Sequence, residues 1–256
     1  MKKFILHSII LSLFFTACKR AEIDSYSGVD NIHIAPSMQL PNIISDTVTY
    51  TSKSSNTNYL DVPIVIQSQG RVMDINRPYL LTTFSSDNSA IAGTDYRFLQ
   101  DTLEIAAGTY TDTIYFRLFK NPTGANTTKT VTLQLEPNAH FATAYAWHYD
   151  DAGHQIASRI RNTVVFGDFA LEPLYWRHYR TNILGAFSGR KVDLLVTVGG
   201  LEEHRVYILG ERPSYTEQEL LIAAWDVQDY LNEQRLLGNI MTDENGQVII
   251  MGASAQ

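Results

Sequence analysis

Cys18 is the only cysteine in this 256-residue chain, and it stands directly behind an apolar run. Lys2 and Lys3 give a basic start, Phe4 to Phe15 an apolar stretch, and Thr16 and Ala17 small residues ahead of the thiol. This is the order of a secretory signal ending in a lipobox. The thiol then takes a lipid and the mature chain begins at Cys18. The apolar run falls short of the roughly 20 residues that a membrane span needs. The plainer alternative is a cleaved signal in which Cys18 is incidental. A lone cysteine at the one position where acylation requires it favours the lipid, since an exported chain would otherwise carry a loose thiol. Phe15 occupies the place where a lipobox usually has Leu. Diacyl attachment with N-acylation supplies several chains, enough for stable anchoring where one would be marginal.

A second group of residues suited to chemistry is aromatic. Tyr145, Trp147 and Tyr149 alternate in "TAYAWHYDD". On a strand they share one face, with Ala144, Ala146 and His148 opposite. Flat aromatic rings stack on the apolar faces of sugars, and Tyr and Trp add polar handles. The competing reading packs the three rings against the rest of the protein, the usual fate of aromatic side chains. His148, Asp150, Asp151 and His154 follow at once in "WHYDDAGH". Their types suit a divalent metal, but a polar hairpin turn built on Asp-Ala-Gly is the simpler account, and no metal is expected. Glu202, Glu203 and His204 read as a solvated turn. Metalloprotease, nucleophile-elbow, phosphate-loop and paired-cysteine signatures are absent. With Cys18 acylated no thiol nucleophile remains, so neither a catalytic residue nor a cofactor is expected.

The elements that must carry these residues follow from periodicity. Apolar residues alternate at Leu60, Val62, Ile64 and Ile66, at Ile114, Phe116 and Leu118, at Val131, Leu133 and Leu135, and at Val164 and Phe166. Such runs are half-buried strands. Turn-rich stretches such as "KSSNTN", "SSDNSAIAG", "KNPTGANTT" and "DDAGH" separate them, so the pattern predicts a β-sandwich over 31–168. After Asp168 the period becomes helical. Pro173 and Gly185 bracket one helix, with Trp176, Tyr179 and Ile183 on one face. Thr216 and Glu219 form a capping box for another, with Tyr215 and Leu220 as its staple. Leu220, Ala224, Val227 and Leu231 make its buried stripe, and Gly238 its stop. "KVDLLVTVGG" reads as a strand or buried segment and "GQVIIMG" as a last strand. The expected fold is mainly β, an antiparallel Ig-like sandwich followed by a small mixed α/β region over 169–256.

Residues 1–17 are then the signal and 18–30 a polar tether. Formal charge is −7, and −9 once Lys2 and Lys3 leave with the signal. With no basic stretch, nucleic acid is excluded as a partner. With one cysteine the fold rests on its apolar core, for which 45% hydrophobic residues suffice.

Two stretches resemble known families. "SAIAGTDYRFLQDTLEIAAGTYTDTIYF" resembles the Calx-beta domain, through Ala90, Gly93, Asp95 and Tyr96, then Leu103, Ile105, Gly108 and Ile114. Asp95 is the one match to the acidic clusters with which some of those domains bind calcium, and hydrogen bonding within its own turn is its simpler role. "FGDFALEPLYWRHYRTNILGAFSGRKVDLLVTVGG" resembles the back half of a Bacteroidota lipoprotein family of unknown function, through Asp168, Pro173, Trp176, Leu184, Gly185, Phe187, Ser188 and Lys191. That resemblance implies a lipid-anchored outer-membrane protein, often encoded beside TonB-dependent glycan-uptake systems. It therefore implies a membrane partner through the lipid, a transporter complex and a glycan ligand. Lys19 and Arg20 stand where surface export often places acidic residues, so surface-facing and periplasm-facing orientations both stay open. The expected role is a non-catalytic binding or accessory protein of nutrient uptake, and the alternative is a structural or adhesive protein that contacts others by strand addition.

Overall fold

The computed structural model describes residues 28–36, 44–84, 90–120, 128–208 and 210–256. The signal, Cys18, most of the tether and parts of two predicted turns lie outside them. The protein is mainly β. One sheet has the order β1-β3-β8-β6, from Asn31–Ile34 (β1), Tyr59–Gln69 (β3), Thr111–Phe119 (β8) and Tyr96–Phe98 (β6), antiparallel throughout. The second has the order β2-β12-β9-β5, from Thr47–Thr51 (β2), Arg161–Gly167 (β12), Thr128–Glu136 (β9) and Leu80–Phe84 (β5). Period-two apolar residues put one face of each sheet on a common core. Register pairs Ile64 with Ile114 and Val62 with Phe116 in the first sheet, and Val131 with Val164 in the second. All six are buried, together with Ile66 and Leu133. Tyr96 and Phe98 pack against Phe116 with ring centroids 4.8 and 5.1 Å apart.

One pairing departs from the antiparallel expectation, because β2 runs parallel to β12. A parallel neighbour needs a long crossover, and here β3 to β11 intervene between the two strands. Two short ribbons complete the β part. Arg77–Pro78 (β4) pairs with Glu104–Ile105 (β7), and Trp147–Tyr149 (β10) pairs with Gln155–Ser158 (β11).

A second apolar cluster starts at Tyr175, after the first has ended at Phe166. It is helical: Trp176–Tyr179 (α1) continuing as a π-helical turn over Arg180–Leu184, then Gly189–Thr197 (α2), Glu203–Val206 (α3) and Glu217–Leu236 (α4). The α4 start has the predicted reciprocal capping box between Thr216 and Glu219, and Leu220, Ala224, Val227 and Leu231 are buried. The segment read as a strand or buried run at "KVDLLVTVGG" is α2. Ser188 caps it by accepting the Lys191 N–H, and Val192 and Leu195 face inward one turn apart. Short apolar runs do not separate strand from helix by period, and the cap decides it. "GQVIIMG" forms no ladder. It makes one bridge, Thr242 to Val248, while Ile249 and Met251 insert into the helical core. The apolar run belongs to a packed extended tail rather than to a strand of a sheet, with Val248 and Ile250 exposed beside the buried positions.

Among the described residues no helix is long and apolar enough to cross a membrane.

Candidate binding surface

The β10–β11 ribbon presents the aromatic residues. Trp147 pairs with Ser158, His148 with Ala157 and Tyr149 with Gln155, and the skipped residue, Ile156, is a bulge. A bulge adds twist and re-aims side chains. Tyr145, Trp147 and Tyr149 are 52%, 40% and 58% exposed, and Ile156 joins them at 47%. Ala157, from the other side of the ribbon, is buried. The rings therefore face solvent and do not pack on the C-terminal region. Tyr145 lies just ahead of the strand. Among the described residues neither the two phenol hydroxyls nor the Trp147 indole N–H makes a hydrogen bond.

Main-chain N–H groups tie this ladder to Asn31 and Asp46 of the sandwich and join its two strands. The Ala144 N–H donates to Asn31 Oδ1 (2.9 Å), Arg159 N–H to the Ala146 carbonyl (2.8 Å), and Ser158 N–H to Asp46 Oδ2 (2.7 Å). A backbone held in place lowers the ordering cost of binding. The arrangement offers flat apolar faces whose polar edges are free among the described residues, suited to stacking and hydrogen bonding.

The neighbouring histidine–acid cluster closes the hairpin. Asp150 Oδ1 accepts the backbone N–H of Ala152 and of His154, and Asp150 Oδ2 lies 3.0 Å from His154 Nδ1. Those bonds, from the His154 backbone first, hold the Asp150 carboxyl below its usual range. Gly153 takes φ +83, which the reversal needs. His148 points to the opposite face, so its imidazole does not join Asp150. Among the described residues no group of three or more His, Cys, Asp or Glu side chains gathers as metal ligands. Asp95 acts within its own turn, where its Oδ2 accepts the Ile91 N–H at 2.8 Å, with Lys129 Nζ at 3.6 Å.

The family-like residues after Asp168 converge on one structural arrangement. Lys191 is 3% exposed, and its ammonium donates to the carbonyls of Leu184, Ala186 and Ile250 at 2.9, 2.7 and 2.8 Å. Burial pushes it down to about 8, against the pull of Asp243. Trp176 Nε1–H donates to the Gly185 carbonyl, and the Phe187 ring meets Trp176 edge-on at 5.1 Å. Gly185 has φ +71, and a Cβ there would lie 2.6 Å from both Ile250 O and Lys191 Nζ. The spacing of the motif is thus explained by packing.

Periodicity did not find Lys53 and Glu203. "LEEHR" is no solvated turn: Glu203 opens α3 and takes a 2.7 Å hydrogen bond from Lys53 Nζ of the sandwich. Lys53 also lies 3.8 Å from Asp168 and 5.9 Å from the Tyr207 ring centre. Burial disfavours its charge, but the Glu203 hydrogen bond and charge, followed by Asp168 and Asp193, outweigh this and raise its pKa. The Thr51 hydroxyl donates to the Phe169 carbonyl at 2.6 Å beside it. No local signal announces such a pair, since a single lysine and a single glutamate carry no period.

The solved structures similar to this chain include two chaperones and a glycoside hydrolase. The YadV chaperone is 12% identical, with a TM-score of 0.30 over 62% of this chain and 62% of its own. The E. coli chaperone DraB is 8% identical, with a TM-score of 0.30 over 64% and 68%. A family 123 glycoside hydrolase from Clostridium perfringens is 10% identical, with a TM-score of 0.31 over 82% and 36%. This chain thus spans under two thirds of the YadV chaperone's length. A search of curated proteins finds no match. The family described as "Domain of unknown function (DUF4843)" matches residues 26–201, from ahead of β1 through α2, and the chain belongs to that family.

Proposed function

We propose that this protein is a lipid-anchored, non-catalytic component of the cell envelope that binds glycans for a nutrient-uptake system, with Tyr145, Trp147 and Tyr149 as its stacking platform. The observation that carries the reading is the exposure of these three rings and Ile156 on one ribbon, with their polar edges unpaired among the described residues. Aromatic faces of this kind complement the C–H faces of sugars. The Cys18 lipobox supports the envelope location, and the lipoprotein resemblance supports the outer membrane and a TonB-dependent partner. Stacking alone gives weak affinity, millimolar to high micromolar, roughly −4 to −6 kcal/mol.

Two measurements test it. A glycan array followed by calorimetry on the best ligand should show binding that Trp147→Ala reduces at least tenfold, without change in thermal stability. Equal binding by both proteins to every glycan would move the site elsewhere. Metabolic labelling with a clickable fatty acid should mark the wild type and leave Cys18→Ala unlabelled and out of the membrane fraction. Equal labelling of the two would end the anchor proposal.

A further inference from the structure

Behind the aromatic ladder the ribbon turns a different chemistry toward the sandwich. His148 pairs with Ala157, so His148, Ala157 and, two residues on, Arg159 share the inner face. The Arg159 carbonyl accepts the Ile34 N–H at 2.7 Å, which sets this residue beside β1 and next to His33. His33 alternates with the core residues Ile32 and Ile34 and so leaves the core, where its Nε2 lies 3.2 Å from Gln67 Oε1. Three basic side chains from three segments are thereby brought together.

Their compensation is incomplete. Arg159 Nε and His148 Nε2 are buried and have no hydrogen-bond partner among the described residues. Among the described residues the Arg159 guanidinium donates no hydrogen bond and has no carboxylate within 4 Å. One acid, Asp46, acts on His148, but its Oδ2 already accepts the Ser158 N–H and its Oδ1 the Thr47 hydroxyl. A guanidinium is always charged, and its planar fork fits an oxyanion with two parallel bonds. An unpaired cation held beside unpaired buried nitrogens is costly unless something answers it.

We propose that Arg159, flanked by His148 and His33, forms a binding site for a small oxyanion, a carboxylate or phosphate-type group, separate from the aromatic platform. The electrostatics agree with this. Burial and then the Arg159 charge hold both imidazoles below their ordinary values, and the His148 charge adds to the effect on His33. An oxyanion on Arg159 cancels that repulsion. By linkage it must raise the histidine pKa values and in turn bind more tightly as they protonate.

The experiment is an NMR titration of the histidine ring protons at constant ionic strength, with chloride as the reference and inorganic phosphate or acetate as the probe. The expected result is a rise of about one unit in the His148 pKa with either oxyanion, which corresponds to about tenfold coupling, and none with chloride. Arg159→Gln should abolish the oxyanion response and raise both histidine pKa values in chloride. Identical wild-type titrations in all three salts overturn the site, a comparison that needs no variant. A phosphate response that survives in folded Arg159→Gln overturns the role of Arg159.

Discussion

At the scale of single residues, the buried cation Lys191 is the clearest case of a side chain whose role is structural. Its ammonium lacks a bonded carboxylate, and three main-chain carbonyls surround it, one of them from the C-terminal tail at Ile250. Lys191→Met fills similar space but donates nothing. One buried and two partly buried acceptors then lose their partner, a loss of about 1–3 kcal/mol where burial is complete and less elsewhere, offset in part because a buried charge is also removed. We expect a net loss of about 2–4 kcal/mol in urea denaturation. An unchanged midpoint would mean that water replaces the ammonium. His33 gives the pH dependence. Burial, then Arg159, lower its pKa from 6.5 to about 4. Between those two values the unfolded chain binds a proton that the folded chain refuses. Stability from this group is therefore full above pH 6.5, falls as pH drops toward 4, and falls no further below that. Measured in chloride buffers, His33→Gln should flatten this slope. Parallel curves for the two proteins would exclude His33 as the cause.

Elements follow local rules where a rule exists. The α4 start reads directly from Thr216 and Glu219, because the capping box satisfies two otherwise unpaired donors within four residues. Thr216→Ala should cost about 1 kcal/mol by chemical denaturation, with Thr216→Ser close to wild type. A loss below a few tenths would mean that burial of Leu220 and Tyr215 fixes the helix start without the cap. The strands were equally legible, since Val62, Ile64, Ile114, Phe116, Val131 and Leu133 alternate in sequence and all lie in the core. For the short runs the same rule fails. The apolar segment of α2 satisfies both periods over so few residues, and the last apolar run, Val248 to Met251, makes only one bridge.

On the scale of the whole molecule, two apolar cores are joined by polar contacts around Lys53. This residue leaves a 3-10 turn at Ser52–Ser54 and reaches Glu203 on α3, while Asp168 stands beside it at the junction. Exposed ion pairs usually contribute about 0–1 kcal/mol. A double-mutant cycle of Lys53→Met and Glu203→Gln should therefore give a coupling of about 1 kcal/mol or less, weakened by high salt. The junction should also become more open to limited proteolysis near Asp168. Additive mutants with unaltered cleavage would assign the coupling of the two cores to backbone contacts such as that from Thr51 to Phe169.

What the sequence determined by itself is local. Alternation fixed the long strands and their buried faces, the cap and the Gly238 stop fixed α4, and the order of residues around Cys18 gave the expectation of a lipid. Alternation also put Tyr145, Trp147 and Tyr149 on one face. Each of these is written within a few residues, because a side chain's direction along a strand or helix repeats with a fixed period. Whether that aromatic face met solvent or protein was decided only by the tertiary structure, since both choices satisfy the same alternation. The tertiary structure also set β2 parallel to β12, caged Lys191 with the distant Ile250 carbonyl, and brought Arg159 to His33. Such contacts join segments far apart in the chain, and they form only when burial of the shared cores offsets the entropy of closing the loops between them.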